Sequence, residues 1–214
     1  MVYFGQKIVK MLLTTCLFVS YIACTQINQP QLPFYNEPTF TPIFLNDYSE
    51  VEKKITHQIS PFLLLNQDSI WISEQIIENK IHVANFMFTS CGDICPSMTK
   101  NLKLVSDSLK FQDDVMFLSY SVTPWTDKPR VLKDYQTSYQ INSKNWYFLT
   151  GSQSAIYKLA RQSYFAEEAI GFNRDSSEFI HTEHFILLDK TKRIRGVYNG
   201  TLALEAKQLI ADIF

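Results

Sequence analysis

Two cysteines four positions apart, Cys91 and Cys95, stand where a strand-like run gives way to a helix-like one. Ile81 to Phe88 lead in as a largely apolar run, and Pro96 opens a helical pattern behind the second cysteine. This juxtaposition sets two thiols on a strand-to-helix turn. There the first N–H groups of a helix favour the thiolate form. Such a pair suits either of two tasks: exchanging electrons with another thiol pair, or holding a soft metal.

The body of the chain supplies an α/β frame for that turn. Phe62 to Leu65 and Ile70 to Ile72 flank a polar Asn66-Gln67-Asp68-Ser69 turn, which predicts a β-hairpin. His82 to Phe88 and Val115 to Val122 have the length and apolarity of buried strands, and Asn145 to Leu149 is a shorter one. Helical spacing runs through Ser97 to Leu109, Pro129 to Tyr139 and Ser152 to Tyr164, with Thr126 and Asp127 as capping candidates for the second. Phe185 to Leu188 and Ile194 to Tyr198 flank a second turn, and Leu202 to Phe214 closes the chain as a helix. The order predicts a mixed sheet flanked by helices, with an N-terminal β-hairpin: a thioredoxin-like pattern.

The start of the chain bounds the compartment. Lys7 and Lys10 precede Met11 to Ala23, thirteen residues without a charge. That is short for a membrane-spanning helix, which needs roughly 20 apolar residues, and fits a secretory signal over residues 1–23. Tyr21-Ile22-Ala23-Cys24 resembles a bacterial lipobox, with Tyr21 where Leu is usual, so lipidation is expected at Cys24. An uncleaved anchor and a plain secreted form are the alternatives. All three put the domain outside the cytoplasm, and the first makes it a membrane-anchored lipoprotein on the periplasmic side of a bacterium. Residues 24–50, rich in Pro, Gln, Asn and Thr, read as a tether, with Phe34, Phe40 and Phe44 available to dock; residues 51–214 are the domain. Cys16 falls in the signal, so Cys91 and Cys95 alone remain in the domain and a disulfide-rich scaffold is excluded. The formal charge of −1, without a basic stripe, argues against nucleic acid.

A structural disulfide across so short a loop would stabilise little. Three residues separate the cysteines where a thioredoxin motif has two, which disfavours a simple copy of that enzyme. Positions i and i+4 still share one face of a helical turn, so both sulfurs reach one side. A structural zinc site would want four ligands. Of the four histidines, His57 lies in a polar, helix-like segment and is expected to be exposed. His82 starts the first core strand and is expected to be structural. His181 and His184 flank the entry to a late strand, and periodicity does not choose between them.

A family resemblance goes further. Phe86-Met87-Phe88-Thr89-Ser90-Cys91-Gly92-Asp93-Ile94-Cys95-Pro96, then Ser121-Val122-Thr123-Pro124-Trp125-Thr126-Asp127-Lys128-Pro129, then His181-Thr182 before a strand and hairpin, resemble the three blocks of the Sco/SenC family. That family comprises copper-binding, thioredoxin-like proteins of cytochrome c oxidase assembly, and the likeness spans about Ser60 to Phe214. It implies copper ligation by Cys91, Cys95 and His181; His184 has no counterpart and is given no role. Thr123 replaces an acid common in the second block, while Asp127 matches. Asp93, between the cysteines, reads as a solvated loop residue. The implied function is a copper metallochaperone that binds Cu(I), with the imidazole adding affinity for Cu(II). It would deliver the metal to the copper-A subunit of cytochrome c oxidase or another copper recipient. The alternative is a thiol-disulfide oxidoreductase in which Cys91 attacks and Cys95 resolves.

Overall fold

The structure is a computed structural model that describes residues 31–166 and 182–214. The chain divides into Met1–Gln31 and Leu32–Phe214, and every element named below lies in the second unit. Among the described residues, seven strands form one sheet: β1 (Leu63–Asn66), β2 (Trp71–Ser73), β3 (Ile81–Met87), β4 (Val115–Ser121), β5 (Trp146–Thr150), β6 (His184–Leu188) and β7 (Ile194–Asn199). Their order is β2-β1-β5-β4-β3-β6-β7. The helices are α1 (Val51–Lys54), α2 (Ile94–Ser108), α3 (Pro129–Ser138), α4 (Gln153–Lys158) and α5 (Ala203–Ile213).

The three central strands β3, β4 and β5 run parallel, with β1 and β6 antiparallel at their flanks. β4 is buried along its whole length, as expected where helices cover both faces of a parallel sheet. The two-residue alternation of β3 assigns its side chains to two cores. Val83 and Met87 join Met98, Leu102 and Val105 of α2, Leu132 of α3 and Leu209 of α5. Ala84 and Phe86 join Ile156 of α4 and the wider π-helical turn Leu159–Ser163 that follows it. Both hairpins, the three crossover helices and the terminal helix fall where hydrophobic period places them. Among the described residues, no helix is long and apolar enough to cross a membrane.

Residues 32–55 lie against the domain. Phe34, Leu45, Val51 and Ile55 are buried together, and Phe40 is half-buried while Phe44 stays exposed. Phe34 bridges Ile43, and Tyr35 bridges Ile194 at the start of β7. Two arginines hold this segment. Arg193, 2% exposed, donates from Nε to the Ile55 carbonyl (3.0 Å) and from Nη2 to Glu52 (2.9 Å). Arg195 donates to the carbonyls of Pro33 (2.9 Å) and Leu32 (2.6 Å), with its guanidinium 3.9 Å from the Phe34 ring centroid. His57 corrects an expectation: it is neither helical nor exposed. Its ring stacks on Phe165 at 4.2 Å, and its Nε2 lies 2.7 Å from the Ser163 carbonyl oxygen.

Candidate dithiol and metal site

α2 begins at Ile94, two residues before Pro96, so Cys95 lies inside its first turn and Cys91 just outside it. Pro tolerates the first turn because its missing N–H has no intrahelical partner there. The Cys95 N–H, one of the helix's orphan donors, points at Cys91 Sγ at 3.5 Å. Cys95 is 2% exposed within the core beneath α2, and Cys91 is half-buried at its edge. Both sulfurs are free thiols.

The two thiols are electrostatically unequal. Partial burial pushes Cys91 up, but the N–H groups of Cys95, Asp93 and Ile94, together with the Cys95 thiol, hold it below the ordinary cysteine value. Burial pushes Cys95 up to about 12, with the adjacent Cys91 sulfur adding to the rise and the Phe88 backbone opposing it. A pair of this kind presents one sulfur to solvent as the readier thiolate and keeps the second protonated behind it. Asp93, exposed at the helix N-cap, makes no side-chain cap hydrogen bond.

Behind the cysteine turn sits Asp127, fully buried. Its Oδ1 accepts from Thr89 Oγ1 (2.6 Å). Its Oδ2 accepts from Thr89 N (3.1 Å), Ser121 Oγ (2.6 Å) and Thr123 Oγ1 (3.1 Å). This corrects the capping role expected of Asp127: the N-cap of α3 is Lys128, which caps with no side chain. The carboxylate instead pins Thr89, two residues before Cys91, to the end of β4. Thr123, which replaces an acid common in the block that this stretch resembles, serves as one of its donors. Sequence reasoning missed this cluster, although three hydroxyl residues around one acid at two strand ends were visible as a signal.

The histidines divide. His82 is fully buried, with Nε2 3.3 Å from the Tyr164 hydroxyl, and is structural as expected. His184 opens β6 with its ring edge-on to Phe40 at 6.4 Å between centroids. His181 lies outside the described residues, as do Cys24 and the signal segment. Thr182, beside His181, is buried and accepts the His184 N–H at 3.3 Å. The register Ala84↔Ile186 runs β6 antiparallel to β3, so the start of β6 lies at the cysteine end of the sheet. Among the described residues, no group of three His, Cys, Asp or Glu side chains converges into a metal site. The two thiols nevertheless suit a soft ion: Cys91 and Cys95 adjoin at the start of α2, and Cys91 is already biased to the thiolate.

Fold and site together define a thioredoxin-like domain with its thiol pair on the strand-to-helix turn. Residues 50–214 match the SCO1/SenC family, and the chain belongs to it. The SCO1 protein homolog of Bacillus subtilis (strain 168) is 31% identical over 166 residues, covering 77% of this chain and 85% of that protein. The crystal structure of a SCO1/SenC family lipoprotein from Bacillus anthracis str. Ames superposes with TM-score 0.64 at 30% identity, covering 73% and 93% of the two chains. BsSco, in which a disulfide switch was identified, is a member of the Sco family of cytochrome c oxidase assembly proteins. It superposes at 0.62 with 33% identity, covering 73% and 91%. Bradyrhizobium japonicum ScoI, solved with copper bound, shares the fold at TM-score 0.56 and 24% identity, covering 70% and 96%.

Proposed function

We propose that this protein carries copper on Cys91, Cys95 and His181 and delivers it to the copper-A subunit of cytochrome c oxidase, anchored outside the cytoplasm by lipid on Cys24. Two free sulfurs brought together where α2 begins carry the reading. Copper is cargo here: binding Cu(I) displaces the protons of both thiols, Cys91 first because it is already the more acidic. The histidine is supported by the family resemblance and by its covalent neighbour Thr182, which adjoins the start of β6 at the cysteine end of the sheet. A three-ligand site reached through the half-buried Cys91 hands its metal on by ligand exchange.

Metal analysis of the reduced chain tests this. One copper per chain is expected. Cys91→Ser or Cys95→Ser abolishes it, because a hydroxyl is a hard, poor ligand for Cu(I). His181→Ala weakens Cu(II) more than Cu(I). Full copper binding by either serine variant refutes the assignment.

A second reading draws on the same inequality. Cys91 as attacking thiolate and Cys95 as resolving thiol would reduce a partner disulfide, ending as a Cys91–Cys95 disulfide with the partner's two thiols released. His181→Ala separates the two. Loss of oxidase assembly under copper limitation with thiol exchange intact supports the carrier. Full assembly with that variant favours the reductase.

A further inference from the structure

The sheet has two ends of different character. Cys91 lies in the loop that leaves the end of β3, and the half-exposed Trp125 (51%) in the loop that leaves the end of β4, at the same end of the sheet. At the opposite end, where β3 begins, Leu32 sits with Ile81, Leu188, Arg195 and Ile213 around a small cavity of about 120 Å³. Arg195 fixes Leu32 there by its carbonyl. The loop between α2 and β4 lies at the same end: Asp114 accepts the Ile81 N–H through its carbonyl (3.0 Å), and its carboxylate meets Lys190 of the β6–β7 turn (2.7 Å). That loop carries Phe111, 85% exposed, with the Lys110 ammonium 4.9 Å from its ring centroid.

We infer that this strand-start end rests on the lipid surface, with Phe111 dipping into the headgroup region and the cysteine pair held at the far end, facing a partner. The inference rests on the membrane attachment ahead of Leu32 proposed above; a lipid on Cys24 or an uncleaved anchor serves it equally. Seven residues separate Cys24 from Leu32, a reach of at most about 29 Å when fully extended. A fixed point so near the anchor keeps this end close to the bilayer. An exposed aromatic beside a lysine is the pairing that suits an interface: the ring enters the acyl boundary while the ammonium stays at the phosphates. The neighbouring charges decide the lipid. Lys103 pairs with Asp107, Lys144 with Asp113 and Lys190 with Asp114, so the surface is near neutral and zwitterionic lipid suffices. β3 spans seven residues, about 23 Å of strand, which sets the height of Cys91 above Phe111.

The test uses the full chain recovered from membranes and reconstituted into phosphatidylcholine vesicles with brominated acyl chains. Phe111→Trp is made in a Trp71→Phe, Trp125→Phe background, leaving the buried Trp146 constant. The indole at position 111 is expected to lose about half its emission relative to unbrominated vesicles, as an interfacial ring should. The parent chain, with Trp71 and Trp125 in place, is expected to show no quenching. Amide exchange on the unsubstituted chain gives an independent reading: vesicles should protect residues 110–113 and leave residues 89–93 and 124–126 unchanged. No quenching at position 111, quenching in the parent, or protection at the cysteine end overturns the inference while leaving the anchor intact. Recovery of the chain wholly in the soluble fraction refutes the anchor, and this inference with it.

Discussion

Asp127 is the residue on which the shape of the site depends most. A buried carboxylate is tolerated only when its oxygens are well supplied with donors, and this one has four from three residues. Asparagine is nearly isosteric but turns an NH2 group toward groups that themselves donate. Asp127→Asn is therefore expected to lower stability by about 2–4 kcal/mol, read as a shift in denaturant midpoint. It should also release the Thr89 amide to faster hydrogen exchange. Thr126→Ala removes only a hydroxyl bond to the Thr123 carbonyl and should cost less than about 1 kcal/mol. Equal effects of the two changes would mean that Asp127 acts as the helix cap the sequence first suggested.

At the scale of elements, the clasp between β7 and the N-terminal segment makes a comparable commitment. Arg195 holds two consecutive carbonyls and lies over an aromatic face, a task for a planar guanidinium that lysine does not reproduce. Arg195→Ala and Arg195→Lys should both loosen residues 32–46. Limited proteolysis within that stretch should accelerate about tenfold, the equivalent of about 1.4 kcal/mol of local stability, with the sheet still folded. Unchanged cleavage would show that Phe34 and Tyr35 dock without the arginine. The strands and crossover helices were legible in the sequence because their apolar period reflects a two-sided core. The clasp was not: it joins Arg195 to carbonyls 162 and 163 positions away, and backbone acceptors leave no trace in side-chain pattern. Cys91 and Cys95 were legible from spacing, but their inequality follows from where α2 begins, which Pro96 bounded only to within two residues.

For the whole molecule, the least expected liability is a histidine that has no part in the site. His82 is fully buried in the sheet, and burial, with the positive charge of Lys192 adding to it, lowers its pKa from 6.5 to about 3. Above pH 6.5 the ring is neutral whether the chain is folded or not, and it imposes no pH dependence. As pH falls from 6.5 toward 3, the unfolded chain takes up a proton that the folded chain refuses, so stability is lost over that window. One proton sets the slope at about 1.4 kcal/mol per pH unit. Carboxylates also contribute to acid unfolding, so the parent must be compared with a non-titrating variant. His82→Gln should cost stability at pH 7, where the contact with Tyr164 is weakened. Its deficit should then shrink by about 2–3 kcal/mol between pH 6 and pH 4, because only the parent carries the proton penalty. Denaturant unfolding of both chains at pH 7, 6, 5 and 4 measures this. A deficit constant across the series would mean that the folded protein takes up the proton as readily as the unfolded chain, and that water or a rearranged Tyr164 reaches the ring.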